Sequence, residues 1–116
     1  MIRVLVADAS PAARRALLDA FATDPEIVVI GEAADGGGVI ALTRQLRPDV
    51  VVMDIDMPSM NGFGVTKQIM IEVPTPIVIV SGASSTRQVE LSMLALRAGA
   101  LTVLSKLAEP AFGIDR

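Results

Sequence analysis

Cysteine and histidine are both absent from this chain. Their absence excludes disulfides, thiol redox chemistry, zinc sites built on sulfur or imidazole, and every histidine-dependent catalytic triad. Any metal site must use oxygen donors, which favours Mg2+, Mn2+ or Ca2+. Positive charge is also scarce: 10 Lys and Arg stand against 13 Asp and Glu, for a net charge of −3. Arg14-Arg15 is only a pair, so the concentrated basic stripe of a duplex-binding surface is missing and no nucleic-acid partner is expected. No apolar run reaches the roughly 18 residues a membrane helix needs. Asp8 interrupts the first apolar stretch too early for a signal peptide, and no Ala-x-Ala region follows. No membrane partner and a cytoplasmic location are the expectations. A glycine fingerprint for a dinucleotide, a Walker A loop and a Gly-x-Ser-x-Gly elbow are all missing.

What is present is an apolar chain, 52% hydrophobic over 116 residues, which suits a single domain with a real core. Short branched runs alternate with helix-length segments. Ile2 to Ala7, Ile27 to Ile30, Val50 to Met53, Ile77 to Val80 and Leu101 to Leu104 read as strands. Their runs are continuous rather than alternating, as in a parallel sheet covered on both faces. Ser10-Pro11 opens a helix over Ala12 to Thr23, with Ala13, Leu17 and Phe21 inward. Asp35 followed by three glycines starts a second helix, with Val39, Leu42 and Leu46 inward. About Phe63 to Met70 forms a third, and Thr86 to Ala98 a fourth, capped by Gly99. Gly62 allows a positive backbone angle after Asn61. Leu107 to Arg116 has room for one or two turns. The natural architecture is an α/β flavodoxin-like, doubly wound five-stranded parallel sheet, order 2-1-3-4-5, with a short or missing final helix.

In such folds sites form at the carboxyl ends of the strands. Strand one delivers Asp8 there, strand three Asp54 with Asp56 just beyond, strand four Ser81 and strand five Lys106. Asp8, Asp54 and the backbone carbonyl of Asp56 can hold a hard cation, which offsets the repulsion of the acids. Asp54 can also act as a nucleophile toward a phosphoryl group. Lys106 and the Ser81 hydroxyl can bind the transferred phosphoryl oxygens. Taken singly, each has a plainer reading: Asp8 as a turn residue before Ser10, Asp56 as a solvated loop acid, Lys106 as a solvated strand end. Five together at strand ends favour a site. Met53, Met57 and Met60 read as packing rather than a soft-metal set. The fourth helix carries Val89, Leu91, Met93, Leu94, Ala95 and Leu96 on more than one face, so either a thick core or a partner is expected there, a homodimer included.

The stretches Ile2-Arg3-Val4-Leu5-Val6-Ala7-Asp8-Ala9-Ser10-Pro11, Val28-Val29-Ile30-Gly31-Glu32-Ala33, Arg47-Pro48-Asp49-Val50-Val51-Val52-Met53-Asp54-Ile55-Asp56-Met57-Pro58-Ser59-Met60-Asn61-Gly62, Pro74-Thr75-Pro76-Ile77-Val78-Ile79-Val80-Ser81 and Arg97-Ala98-Gly99-Ala100 carry a family resemblance. The whole chain, 1–116, resembles a receiver domain of two-component response regulators. More narrowly, it is similar to the receiver half of chemotaxis protein-glutamate methylesterases. The resemblance implies that Asp54 accepts phosphate from a sensor histidine kinase, and that Asp8 and the Asp56 carbonyl bind Mg2+, with Mn2+ as a substitute. It implies that Ser81 and Lys106 bind the phosphoryl group and that the partner is an effector or methylesterase domain. Family members usually carry two adjacent acids after strand one; with Ala7 in the first place, weakened Mg2+ binding is expected. Val103 replaces the usual aromatic switch residue and Leu107 the usual proline.

Methylesterase chemistry needs a serine elbow and a histidine, and neither is in this chain. It is expected to be either a piece of a longer regulator or a free-standing receiver. Two rival functions remain: a degenerate receiver serving as a phosphorylation-independent interaction module, and an aspartate-nucleophile phosphatase, for which no cap insertion is visible.

Overall fold

A computed structural model describes residues 1–81 and 86–105 of the chain. Five strands, β1 (Ile2–Ala7), β2 (Ile27–Ala33), β3 (Val50–Asp54), β4 (Ile77–Ser81) and β5 (Thr102–Ser105), form one parallel sheet in the order β2-β1-β3-β4-β5. Four helices alternate with them: α1 (Pro11–Ala22), α2 (Gly36–Leu46), α3 (Gly62–Glu72) and α4 (Thr86–Ala98). The architecture and strand order are those expected. The expectation for a final helix falls outside the described residues.

The pleat divides the apolar residues of each strand between two faces. Leu5, Ala7, Val51, Met53, Ile77 and Ile79 join Val39 and Ile40 of α2, Val65 and Ile69 of α3, and Leu91 and Ala95 of α4 in the larger cluster. Val4, Val6, Val52 and Val80 face the other way, against Leu17, Leu18 and Phe21 of α1. No residue of α1 is fully buried, and an open apolar groove of about 500 Å³ runs along this face past Phe21 and Leu104.

Local chemistry sets the helix starts. Ser10 caps α1 by accepting from Ala13 N at 3.1 Å, with Pro11 in the first helical position. Asp35 accepts from Gly38 N at 2.7 Å and so holds the glycine-rich first turn of α2. Asn61 does the same for α3 through Gly64 N at 2.9 Å, which moves that helix start forward to Gly62. Gly99 ends α4 at φ 124, as expected.

One sequence expectation is corrected. Strand β2 runs on to Ala33, because Ala7 pairs with Ala33, and an irregularity between Val4 and Leu5 absorbs Ile30. Gly62 has no positive φ; that conformation falls on Ser59 at φ 72. Glycine is required at 62 by close approach instead. A Cβ there would stand 2.9 Å from Ile55 Cα.

Candidate functional site

The parallel ladders bring the acids together. Ala7 is in register with Met53, so Asp8 and Asp54 are the next residues along neighbouring strands, which run about 4.8 Å apart in a sheet. By the two-residue period, Asp8 shares the face of Val4 and Val6, and Asp54 that of Val52. Asp54 pairs with Val80, which puts Ser81 one step further on β4. Asp8, Asp54 and Ser81 are 1%, 8% and 2% exposed, three polar side chains buried at one rim of the sheet. Such burial is costly unless the groups are partnered or serve a ligand.

The supporting contacts are specific. Asp8 N donates to Ala33 O at 3.1 Å, and Asp8 Oδ1 accepts from Ser10 N at 2.9 Å. The Asp8 carbonyl accepts from Arg14 Nη1 at 2.7 Å, while Arg14 Nε donates to Glu32 Oε1 at 3.1 Å. Beyond Asp54, Ile55 N donates to Val80 O at 3.1 Å and Ile55 O accepts from Gly62 N at 2.7 Å. Ile55 is thereby locked into the core, and Asp56 follows it with an exposed side chain. Lys106 lies outside the described residues.

The donors fit a hard divalent cation. Two buried carboxylates on adjacent strands repel each other, and a cation between them removes that cost. Among the described residues no group of three or more acidic, His or Cys side chains could hold a metal. A cation at the rim would therefore complete its shell from a main-chain carbonyl, water or phosphoryl oxygen, as Mg2+ commonly does. Ala7, where the resemblance places the missing acid, directly precedes Asp8 at the end of β1. It is fully buried, pairs with both Ala33 and Met53, and packs in the larger core cluster. Ala9, on the other side of Asp8 in sequence, is partly exposed.

Sequence reasoning did not anticipate Arg14 or Glu32 near the site. Arg14 read only as half of a surface pair, and the contact links residues from α1, β2 and the loop after β1.

The family described as the response regulator receiver domain matches residues 4–112. The chain belongs to that family. As a receiver domain it has the fold of two-component and chemotaxis phosphorelay proteins. It is 50% identical over 109 residues to protein-glutamate methylesterase/protein-glutamine glutaminase 4 of Myxococcus xanthus (strain DK1622), covering 94% of this chain and 31% of that protein. The response regulator domain of Thermotoga maritima CheB superposes with a TM-score of 0.85 at 32% identity, covering 100% of this receiver and 99% of that chain. The receiver also resembles a chain of the CheX-CheY-BeF3-Mg2+ complex from Borrelia burgdorferi (TM-score 0.80, 26% identity, covering 90% of this chain and 78% of that one). Among the described residues no helix is long and apolar enough to cross a membrane.

Proposed function

We propose that this receiver accepts a phosphoryl group on Asp54 from a sensor histidine kinase and passes the signal to an effector domain. The observation that carries the reading is the burial of Asp8 and Asp54 side by side at the carboxyl rim of the sheet. A carboxylate oxygen of Asp54 attacks phosphorus, the bond from phosphorus to the donor's imidazole nitrogen breaks, and the imidazole leaves and takes up a proton. With a small acyl phosphate the leaving group is the carboxylate instead.

Asp8, Asp54 and the carbonyl of Asp56 are the ligands for Mg2+, with Mn2+ as a substitute. The cation supplies charge neutralisation at the phosphoryl oxygens. Ser81 offers its hydroxyl to one such oxygen. Ser105 is in register with Ser81, and Lys106, next in sequence, offers its ammonium to another. Ala7, in the first place of the usual acid pair, weakens the cation site. The chain spans about a third of the length of the methylesterases it resembles (31% and 32%). Within a regulator of that kind the receiver would control the methylesterase domain; standing alone it would act on a separate effector.

The test is incubation with acetyl phosphate, with and without Mg2+, read by intact mass. A gain of one phosphoryl group that requires Mg2+ and is lost in Asp54→Asn is expected. Folded protein that gains nothing at saturating Mg2+ would sink the reading.

A second reading, an interaction module independent of phosphorylation, is favoured by α4. Val89, Met93, Leu94 and Leu96 are 48%, 53%, 37% and 37% exposed, whereas Leu91 faces the core. In this reading α4 is a homodimer or effector contact. Sedimentation of the unphosphorylated chain is expected to show self-association that Met93→Glu removes. A monomer at high concentration argues against the homodimer.

A further inference from the structure

We propose that Arg14 is a positioning residue for the cation site, acting through the main chain of Asp8, with Glu32 orienting Arg14 in turn. The inference rests on the reading of Asp8 and Asp54 as cation ligands.

Three contacts fix Asp8 at three different atoms. Its N–H donates to Ala33 O at 3.1 Å, its carboxylate accepts from Ser10 N at 2.9 Å, and its carbonyl accepts from Arg14 Nη1 at 2.7 Å. The first ties it to β2, the second sets the carboxylate against the loop, and the third stops the peptide plane after Asp8 from rotating. Arg14 is itself constrained. Its side chain is 21% exposed, and Glu32 Oε1 accepts from Nε at 3.1 Å, which leaves Nη1 turned to the carbonyl. An ion as demanding of geometry as Mg2+ responds to small ligand displacements.

Two physical arguments separate positioning from bulk stability. The sheet ladders through β1 do not involve Arg14, and a carbonyl left at the loop can turn to water, so the fold persists without the guanidinium. Charge pulls the other way: removing a cation near the site would by itself favour Mg2+ binding. A loss of affinity on removing Arg14 therefore reports lost geometry.

The test is a calorimetric Mg2+ titration of the whole chain as wild type, Arg14→Ala, Arg14→Lys and Glu32→Gln, with thermal unfolding measured without Mg2+. Arg14→Ala is expected to raise the Mg2+ Kd about tenfold, equivalent to about 1.4 kcal/mol. Saturating Mg2+ should return its phosphorylation rate to near that of wild type. Arg14→Lys keeps the charge and one donor and is expected to fall between, as is Glu32→Gln. Equal or tighter binding by Arg14→Ala overturns the inference, even if its Tm falls. Should Arg14→Ala not fold, unchanged Kd values in both other variants overturn it equally. A wild-type chain that binds no Mg2+ removes the proposed function and this inference together. Wild-type binding with unaffected variants removes the inference alone.

Discussion

Ala7→Asp is expected to bind Mg2+ about tenfold more tightly than the wild type and to be less stable without the cation. Ala7 has no exposed surface, pairs with both neighbouring strands and directly precedes Asp8. A carboxylate there restores the pair of adjacent acids whose first place Ala7 takes, and a third acid raises the charge of the oxygen set that holds the cation. Without the cation the same carboxylate is a buried charge beside Asp8, and a loss of about 3 kcal/mol or more is expected. For a domain of this size that lowers Tm by at least about 10 °C. Ala9→Asp, at the partly exposed position after Asp8, is the control and is expected to change either quantity far less. Thermal unfolding with and without Mg2+ and a Mg2+ titration of both variants check this. Unchanged Mg2+ affinity in Ala7→Asp would mean that the acid missing at 7 does not limit the site.

Gly62→Val is expected to cost about 3 kcal/mol and to slow phosphorylation of Asp54. A Cβ at 62 would lie 2.9 Å from both Ile55 Cα and Ile55 Cδ1, and 3.2 Å from Asp54 O. The first of these atoms is backbone, so relief requires moving the segment that carries Asp54 and Asp56. The same shift would stretch the 2.7 Å bond from Gly62 N to Ile55 O. Gly37→Ala is the matched control: its new Cβ would meet only Asp35 Oδ1, at 3.6 Å. That variant should gain about 0.5 kcal/mol by restricting the unfolded chain. Denaturant unfolding separates the two signs. Equal small effects at both positions would mean that the β3–α3 segment yields freely and that close approach does not explain Gly62.

Much of the fold was legible because it rests on short-range rules. Ser10, Asp35 and Gly99 act within a few residues of themselves as caps, and the continuous branched runs marked the strands. Asp8, Asp54 and Ser81 could be placed at strand ends for the same reason. What the sequence hides is long-range. Gly31-Glu32 breaks the apolar run after Ile30, yet Ala33 pairs with Ala7 across a distance that no local pattern encodes. Gly62 sits among turn residues but does not use a positive φ. Its real constraint is the backbone of Ile55, visible only when β3 and α3 are packed.

The sequence by itself determined the order of elements, the parallel α/β class and which polar residues end the strands, since hydrophobic periodicity and capping are local properties of the chain. Tertiary structure decided which face each residue meets. It put Ala7 with the larger core and Asp8 on the opposite face, because one step along a pleated strand reverses the side chain. It brought Arg14 and Glu32 to Asp8, because a guanidinium can reach across three elements once they are folded together. It buried Leu91 and Ala95 and left Met93 exposed, because residues four apart on a helix share the face that packs on the sheet.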